Sequence, residues 1–440
     1  MRVLLVGHDA VAHAVAEQLA RDCELYAIME KPNPGILKST QQGYICNFSN
    51  IEVIGAWALM RNIDLVFITA KEAIYAGLAD ALHDAGFKVA SPSMAAATIG
   101  NNRAYARRMF RNYVNFPRSV VCKNLKEVKT ALSDFNRFLL KPTIRSEWQG
   151  LRVADLKDEK VILKNAEDLI KRQGSVVIEE YTDGEEFTIQ AISDGKSISM
   201  FQPIRVAKHS LDGDLGENTE GMASYSTGNL LSFLTEEDFV AAKSMLEKII
   251  LVLRAKGTVY KGIIHGRFII SSKGVKLVDL DSSFGNPEGI NCMAALKTQF
   301  SELLMGIANG NLRAPSFSDK PTVVKYIVPK EYPGESEKKL KRELIFDERK
   351  IWDNGCRYYF EDIEFKDSKL FLTNKRAVAI FASADSLEEA EQRVTASLAT
   401  LSGDIRWRAD VATKGYTDKR VKRASALKGS FLYLRPVVKR

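Results

Sequence analysis

Two aspartates near residue 280 have the residue type and the spacing of a pair that could bind a metal ion. Asp279 and Asp281 lie two residues apart at the end of an apolar run, and side chains alternate along a strand, so both carboxylates point to one side. Paired carboxylates suit a hard divalent cation, which in turn binds the phosphates of a nucleotide. The same pair could instead cap a solvated hairpin, and the spacing alone does not decide between the two.

A β-hairpin is predicted to carry this pair. Residues 262–271 and 275–281 form two runs rich in β-branched residues, joined around Lys273-Gly274, which is typical of a hairpin linker. A turn-forming string, residues 282–288, follows the second strand and adds Asn286 and Glu288 as further oxygen donors. We therefore expect a shelf of oxygen ligands at one end of the hairpin.

Composition narrows the class of protein. The chain has 440 residues, 45% hydrophobic and 27% charged, which indicates a soluble globular protein of roughly three domains. No apolar run has the length of a membrane span or the form of a signal peptide. The five cysteines are scattered and include no CxxC pair, so we expect a reducing compartment, the cytoplasm, and no structural zinc: Cys23, Cys46, Cys122, Cys292 and Cys356.

The net charge of +8 raises the question of an anionic partner. Basic residues are dense near the C-terminus, but they are not interleaved with the aromatic residues of a known nucleic-acid module. Nucleic acid is therefore not expected as a partner. An anionic small molecule fits the charge equally well.

Strands and helices alternate from residue 1 to about 92, with one of the helices over residues 72–85, which predicts a doubly wound parallel sheet. Ligands in such sheets bind at the carboxyl ends of strands, so residues 7–9, His13 and residues 69–71 are expected at a pocket. The first turn lacks the spacing of GxGxxG, which argues against a nicotinamide cofactor.

The rest of the chain predicts two further units. A long helix over residues 94–114, ended by Pro117, leads into a small α/β unit. A polar loop is expected over residues 208–222, and the strands and helix after residue 321 indicate a C-terminal α+β domain. Residues 194–197 (DGKS) look like the end of a phosphate-binding loop, but flanking strands make them a hairpin turn.

Three stretches carry a resemblance to a known family: residues 176–186, residues 212–222 and residues 279–288. Their sequences VVIEEYTDGEE, DGDLGENTEGM and DLDSSFGNPE are similar to motifs of the phosphoribosylamine–glycine ligases, which are ATP-grasp enzymes. Weaker similarity extends over nearly the whole chain.

The resemblance implies an α/β fold of three domains. Residues 1–101 would form the doubly wound N-terminal domain, residues 102–320 the ATP-grasp domain with a small lid at about 118–183, and residues 321–440 the C-terminal α+β domain. It also implies an ATP-dependent carboxylate–amine ligase that forms glycinamide ribonucleotide through an acyl phosphate, with ATP and Mg²⁺ or Mn²⁺ as cofactors. The partners would be small molecules, with no membrane, and the protein a monomer or homodimer.

The family's functional residues carry over by position. Those implied in catalysis are Lys141, Asp279 and Asp281, and the two aspartates would also hold the metal. Those implied at the nucleotide are Arg103, Lys141, Glu179, Glu180, Tyr181, Thr182 and Glu186. Those implied at the substrates are Gly7, His13, Lys208, Asp212, Asp214, Asn218, Thr219, Ser283 and Glu288.

Several positions depart from the family pattern. The glycine-rich lid is largely lost, with Gln149 where the family has lysine, and Arg145 or Arg152 could replace that charge. Ser283 stands where the family has arginine, and Arg103 where it has lysine. Two alternatives follow: a ligase for another amine and acid, or a nucleotide-binding relative without catalysis that acts as a regulatory subunit.

Overall fold

The N-terminal domain is a parallel sheet covered by helices on both faces. The structure is a computed structural model that describes residues 1–144, 152–154, 159–334 and 342–433, with backbone only for 152–154 and 429–433. The strands are β1 (Arg2–Val6), β2 (Glu24–Met29), β3 (Gln42–Ile45), β4 (Leu65–Ile68) and β5 (Lys88–Val89). The helices are α1 (Ala10–Leu19), α2 (Pro34–Ser39), α3 (Ile51–Met60), α4 (Lys71–Tyr75) and α5 (Leu78–Asp84).

The strand order β3-β2-β1-β4-β5 confirms the predicted doubly wound topology. The order reverses between β1 and β4, and the carboxyl ends of these strands lead into Gly7 and Thr69. Gly7 is needed there because a Cβ atom would lie 2.0 Å from the Thr69 hydroxyl. The two loops are therefore packed against each other at the crevice where such sheets bind ligands.

Two predicted helices are each split in the structure. Residues 94–114 form α6 (Met94–Asn101) and α7 (Arg103–Phe110), because Asn102 has an extended backbone and its side chain caps α7 at the amide of Tyr105. The prediction that Pro117 ends this helix was wrong, since α7 ends at Phe110. The helix predicted over residues 72–85 breaks at Gly77, whose φ of 88° is left-handed.

The lid is a small α/β unit. Its sheet has the order β6-β9-β7-β8, with β6 (Ser119–Cys122), β7 (Phe138–Pro142), β8 (Arg152–Ala154) and β9 (Val176–Glu180). Two helices, α8 (Leu125–Ser133) and α9 (Glu159–Gln173), pack against it around their own apolar core. Residues 145–150, where the altered glycine-rich loop is predicted, lie outside the described residues, as does the side chain of Arg152.

The central sheet contains the predicted hairpin. Its order is β11-β10-β14-β15, with β10 (Glu185–Asp194), β11 (Ile198–Met200), β14 (Lys261–Ser271) and β15 (Gly274–Asp281). Residues 194–197 form the turn between β10 and β11, as predicted. One face packs on the long helix α10 (Glu236–Ala255), and α11 (Glu288–Ala295) and α12 (Phe300–Asn309) follow the hairpin.

The third large sheet joins the middle of the chain to its C-terminal part. Its order is β12-β13-β16-β21-β18, and β22 pairs with β16. Its strands are β12 (Arg205–Leu211), β13 (Leu215–Ser226), β16 (Thr322–Pro329), β18 (Arg357–Phe360), β21 (Val378–Ser383) and β22 (Ile405–Arg406). The remaining elements are β17 (Arg342–Leu344), β19 (Ile363–Lys366), β20 (Lys369–Leu372), α13 (Glu348–Asp353), α14 (Leu387–Leu398) and α15 (Lys414–Tyr433).

The loop predicted over residues 208–222 is instead a hairpin. β12 and β13 pair across the short 3₁₀ turn Asp212–Asp214, and their polar residues face solvent at the hairpin's outer end. Since β13 also pairs with β16, the proposed domain boundary at residues 320 and 321 cuts through a continuous sheet. The proposed boundaries stay predictions.

No helix among the described residues is both long and apolar enough to cross a membrane.

His13 links the N-terminal domain to the C-terminal part. Its ring is 2% exposed, lies 5.3 Å from the ring of Tyr359, and accepts the Phe360 amide at Nδ1 over 3.0 Å. Burial, aided by the charge of Lys38, lowers the pKa of His13 to about 3, so the ring is neutral. Gly35 leaves room for the ring, because a Cβ atom there would lie 1.8 Å from it.

We expect Gly35→Ala to destabilise this junction. The methyl group meets a buried ring that cannot move away, and overpacking of this kind costs about 1–3 kcal/mol. Differential scanning calorimetry should show a midpoint lowered by about 1–3 °C. Gly415→Ala is the matched control, because a Cβ atom at Gly415 meets nothing within 4 Å. Equal midpoints for the two variants would contradict the proposed packing.

Candidate active site

One face of the central sheet is polar. Residues directly opposite each other on antiparallel strands share a face, and the register pairs Thr188 with Arg267 and Gln190 with His265. On the other side of β14, Arg267 pairs with Asp279 and His265 with Asp281. The polar face therefore consists of Glu186, Thr188, Gln190, His265, Arg267, Asp279 and Asp281. The opposite face supplies apolar side chains to the main core.

A β-bulge places Asp279 on this face. Phe268 pairs with Leu277 and Arg267 with Asp279, so Val278 is an extra residue in β15. In a regular ladder Asp279 would follow Val275 and Leu277 to the core face, where the two apolar side chains are buried. The extra residue shifts the alternation by one, which turns Asp279 outward and Leu280 into the core.

Arg107 ties the bulge to the lid. Its guanidinium donates to the Val278 carbonyl, and the same nitrogen donates to Glu179 of β9 over 2.7 Å. The guanidinium also stacks 4.2 Å from the ring of Phe116. The bulge and the edge of the lid sheet are thus held by one side chain.

Buried ion pairs fill the space between the lid and the polar face. Lys141 donates to Glu179 over 2.5 Å, and both side chains are 1% exposed. Arg103 binds both carboxylate oxygens of Asp279, at 3.2 and 3.3 Å, and donates to the Pro142 carbonyl over 2.8 Å. Burial lowers the pKa of Lys141, although the charges of Glu179 and Asp279 oppose that shift. Such pairs neutralise charges that would otherwise be costly to bury.

Glu186 and Asp281 lie at the two ends of the polar face. Asp281 accepts the hydroxyl of Tyr75 and the amide of Ser282, each over 3.1 Å. Glu186 accepts the ammonium of Lys208. Burial alone would raise the pKa of Glu186, but Lys208 and nearby arginines lower it to about 2. Glu186 is therefore an ionised acceptor at neutral pH.

A second polar cluster lies where the three parts of the chain meet. Asn286 donates to Asp9 over 3.1 Å and to Glu361 over 2.8 Å, and it accepts the hydroxyl of Tyr326 over 2.5 Å. The guanidinium of Arg376 forms an ion pair with the carboxylate of Glu361, with 2.7 Å between nitrogen and oxygen. Burial, reinforced by Glu361, raises the pKa of Asp9 to about 6. Two carboxylates therefore share one amide at this junction.

The structure brings most predicted site residues to one region but leaves others outside it. Ser283 and Glu288 are buried beside the polar face, where Glu288 lies 3.5 Å from His265. Thr219 donates to the Lys208 carbonyl over 2.6 Å, which holds β12 against β13. Along the lid edge, Tyr181 stacks under Arg137, Glu180 faces Lys276, and Thr182 follows them in the segment that leads to β10.

Three predicted substrate residues lie elsewhere. Asp212 accepts the Ala409 amide over 3.0 Å, and Asp214 binds Arg408 over 2.9 Å, so this turn is attached to the C-terminal part. Asn218 is exposed and pairs with His209. Together with His13 at the domain junction, these residues have structural contacts that explain their positions without a ligand.

Several polar residues at the site escaped the sequence analysis: Tyr75, Arg107, Arg205, Arg267, Glu361 and Arg376. Arg107 had a signal, since it lies on the same helix as Arg103 and one turn further on. The others come from distant parts of the chain, and only the fold shows that they are neighbours.

Comparison with known proteins agrees with this geometry. Residues 1–100 match the sequence model of the phosphoribosylglycinamide synthetase N domain, and residues 101–289 match that family's ATP-grasp (A) domain. The phosphoribosylamine–glycine ligase of Thermococcus kodakarensis is 35% identical over 435 residues, which cover 98% of this chain and 100% of the relative. The chain belongs to the phosphoribosylamine–glycine ligase family.

Solved structures of low sequence identity share the fold. The phosphoribosylamine–glycine ligase of Thermotoga maritima superposes with a TM-score of 0.78 at 19% identity, covering 93% of this chain and 100% of that one. A biotin carboxylase domain from Hydrogenobacter thermophilus, crystallised with MgADP, ADP and bicarbonate, has a TM-score of 0.72 at 14% identity, with 98% of each chain covered. The predicted α/β ATP-grasp fold is confirmed. The chain is an ATP-dependent ligase of purine biosynthesis that forms a C–N bond.

We expect Asp9→Asn to change how stability depends on pH. The folded-state pKa of Asp9 is raised from 3.8 to about 6, so the parent loses stability as the pH rises through this window, where the folded state must ionise. Asparagine cannot ionise but can still cap α1, as Asp9 does at the amide of Ala12. Thermal denaturation should show the midpoint of the variant rising relative to that of the parent as the pH is raised from 4.5 to 7.5. A constant difference would contradict this assignment.

Proposed function

We propose that the chain joins glycine to phosphoribosylamine, with MgATP bound between the lid and the polar face of the central sheet. The observation that carries the proposal is the polar face itself, which aligns Glu186, Asp279 and Asp281 opposite the buried Lys141. Glycine and phosphoribosylamine come from the names of the relatives, which match this chain along nearly its full length. Assembly as a monomer or homodimer stays a prediction.

The geometry supports a position for the nucleotide. The segment from Glu179 to Thr182 links the lid to β10, and its backbone is proposed to face the adenine. Glu186, the second residue of β10, is ionised and partly exposed, so it can accept hydrogen bonds from ribose hydroxyls. Lys141 and Arg103 lie between the lid and the polar face, where positive charge suits phosphates.

The carboxylates at the end of β15 fit a magnesium ion. Asp279 and Asp281 are both less than 10% exposed and present hard oxygen donors on the same face. Within the described residues, no group of three or more His, Cys, Asp or Glu side chains could hold a metal alone. Magnesium commonly takes one or two carboxylates and completes its shell with phosphates and water, so this pair fits a metal that arrives with ATP.

The chain's own residues would then act mainly by position and charge. The carboxylate oxygen of glycine bonds to the γ-phosphorus of ATP as the bond to the ADP oxygen breaks, which gives ADP and an acyl phosphate. The amine of phosphoribosylamine then bonds to the acyl carbon, phosphate leaves, and the amine loses a proton. Lys141 and Arg103 offset negative charge on the phosphates, and a bound magnesium ion would polarise them further.

Replacing both β15 acids should abolish the reaction. Parent protein with magnesium, ATP, glycine and freshly generated phosphoribosylamine should release ADP in a coupled assay. Asp279→Asn and Asp281→Asn together should lower the rate by at least about 100-fold, because the phosphates lose their protein-anchored cation.

Asp84→Asn is the matched control, since this side chain is 86% exposed and lies on α5, away from the cleft. Thermal midpoints of all variants separate lost chemistry from lost folding, which is needed because Asp279 is buried against Arg103. Full ADP release by the folded double variant would exclude the proposed metal site. No release by the parent would contradict the proposed substrates.

A further inference from the structure

Arg267 is a cation at the centre of the polar face that the reaction as described above does not use. It lies on β14, opposite Thr188 of β10 and opposite Asp279 of β15. Arg267 is partly exposed, whereas its strand neighbours Gly266 and Phe268 are buried. The guanidinium is therefore on the face that we assign to the nucleotide, between Glu186 and the β15 acids.

Four nearby cations among the described residues have carboxylate partners. Lys141 and Arg107 bind Glu179, Arg103 binds Asp279, and Lys208 binds Glu186. In the part of the chain that the structure describes, the guanidinium of Arg267 has neither an ion-pair partner nor a hydrogen-bond acceptor. It does lie within electrostatic reach of Glu186, Lys208 and Glu288. The guanidinium therefore has five N–H donors available for an anion that the described side chains do not supply.

We propose that Arg267 binds the γ-phosphoryl group of ATP and stabilises it during transfer. This inference rests on the proposed nucleotide position. Two points of the fold favour the γ-phosphoryl group over another anion. Arg267 is directly opposite Asp279, a proposed metal ligand, and it is two residues further from the β14–β15 turn than Ile269, which pairs with Glu186. It thus lies on the line from the proposed ribose site to the proposed metal site.

The chemistry requires a cation at this point. As the glycine oxygen bonds to the γ-phosphorus and the bond to the ADP oxygen breaks, the electron pair of the broken bond stays on ADP. Negative charge is then spread over the oxygens of the transferring group, and a planar guanidinium can bind two of them at once. Arg267 gives up no proton in this step, because guanidinium stays protonated. Its role is to hold and stabilise the transferred group.

The test compares ATP and ADP, which differ by the γ-phosphoryl group. Equilibrium binding of MgATP and MgADP is measured by isothermal titration calorimetry for the parent, Arg267→Gln and Arg267→Lys. Arg267→Gln should weaken MgATP binding by about 10- to 100-fold, the effect of losing a charged hydrogen-bond pair, and change MgADP binding by less than about 3-fold. Arg267→Lys should give a smaller loss for MgATP, because it keeps the charge but not the fork.

Arg313→Gln serves as the matched control, since that arginine is 88% exposed and lies on the loop after α12, outside the polar face. Should Arg267→Gln fail to fold by its thermal midpoint, Arg267→Lys still decides the question through the ratio of ATP to ADP affinity. Equal losses of affinity for both nucleotides, which leave the ratio of ATP to ADP affinity unchanged, would overturn the proposal. A raised KM for phosphoribosylamine with an unchanged ratio would also overturn it and assign Arg267 to the amine substrate's phosphate.

Failure of the proposed function gives a different result. A parent protein that binds ATP but releases no ADP with glycine and phosphoribosylamine would refute those substrates, while the nucleotide ratio would still test Arg267. Conversely, normal turnover by Arg267→Gln with an unchanged ratio would refute only the role of Arg267.

Discussion

The extra residue at Val278 is the constraint on which the candidate site depends. Since strand side chains alternate strictly, one inserted residue moves every later side chain to the opposite face. Before the bulge the outward face of β15 carries Lys276; after it the same face carries Asp279 and Asp281. Arg107 satisfies the carbonyl at the bulge and binds Glu179, so the feature that orients the acids also attaches them to the lid.

Charge balance follows from that arrangement. Outward-facing acids under a lid would repel one another and lose hydration, and each is offset by a specific cation or donor: Arg103 for Asp279, Tyr75 for Asp281 and Lys208 for Glu186. A nucleotide brings its own negative charge and competes for these cations. The lid and the sheet are therefore bridged by contacts that phosphates can replace.

The features that could be predicted from the sequence depend on local periodicity. The doubly wound sheet follows from the alternation of strands and helices. The hairpin and the shared face of Asp279 and Asp281 follow from patterns within short strands. The bulge also leaves a signal, because the buried positions 275, 277 and 280 change phase, but the alternation that puts both aspartates on one face begins only at residue 279. The polar stretch 208–222 predicts a loop, wrongly, because solvent-facing strand residues are as polar as loop residues. Asn102 ended a helix through a backbone conformation that composition does not reveal.

The parts that could not be predicted depend on contacts between distant residues. Asp9, Asn286 and Glu361 are ordinary polar residues until three parts of the chain place both carboxylates within 3.1 Å of the Asn286 amide. Arg267 is a single basic residue in an apolar run, and its strand alone suggests no more than a solvated position. Its meaning comes from the register on both sides of β14, where Arg103 and Lys208 have carboxylate partners and Arg267 has none among the described residues. The proposed role of Arg267 places positive charge on the polar face of a chain that has Gln149 and Ser283 where the family has a lysine and an arginine.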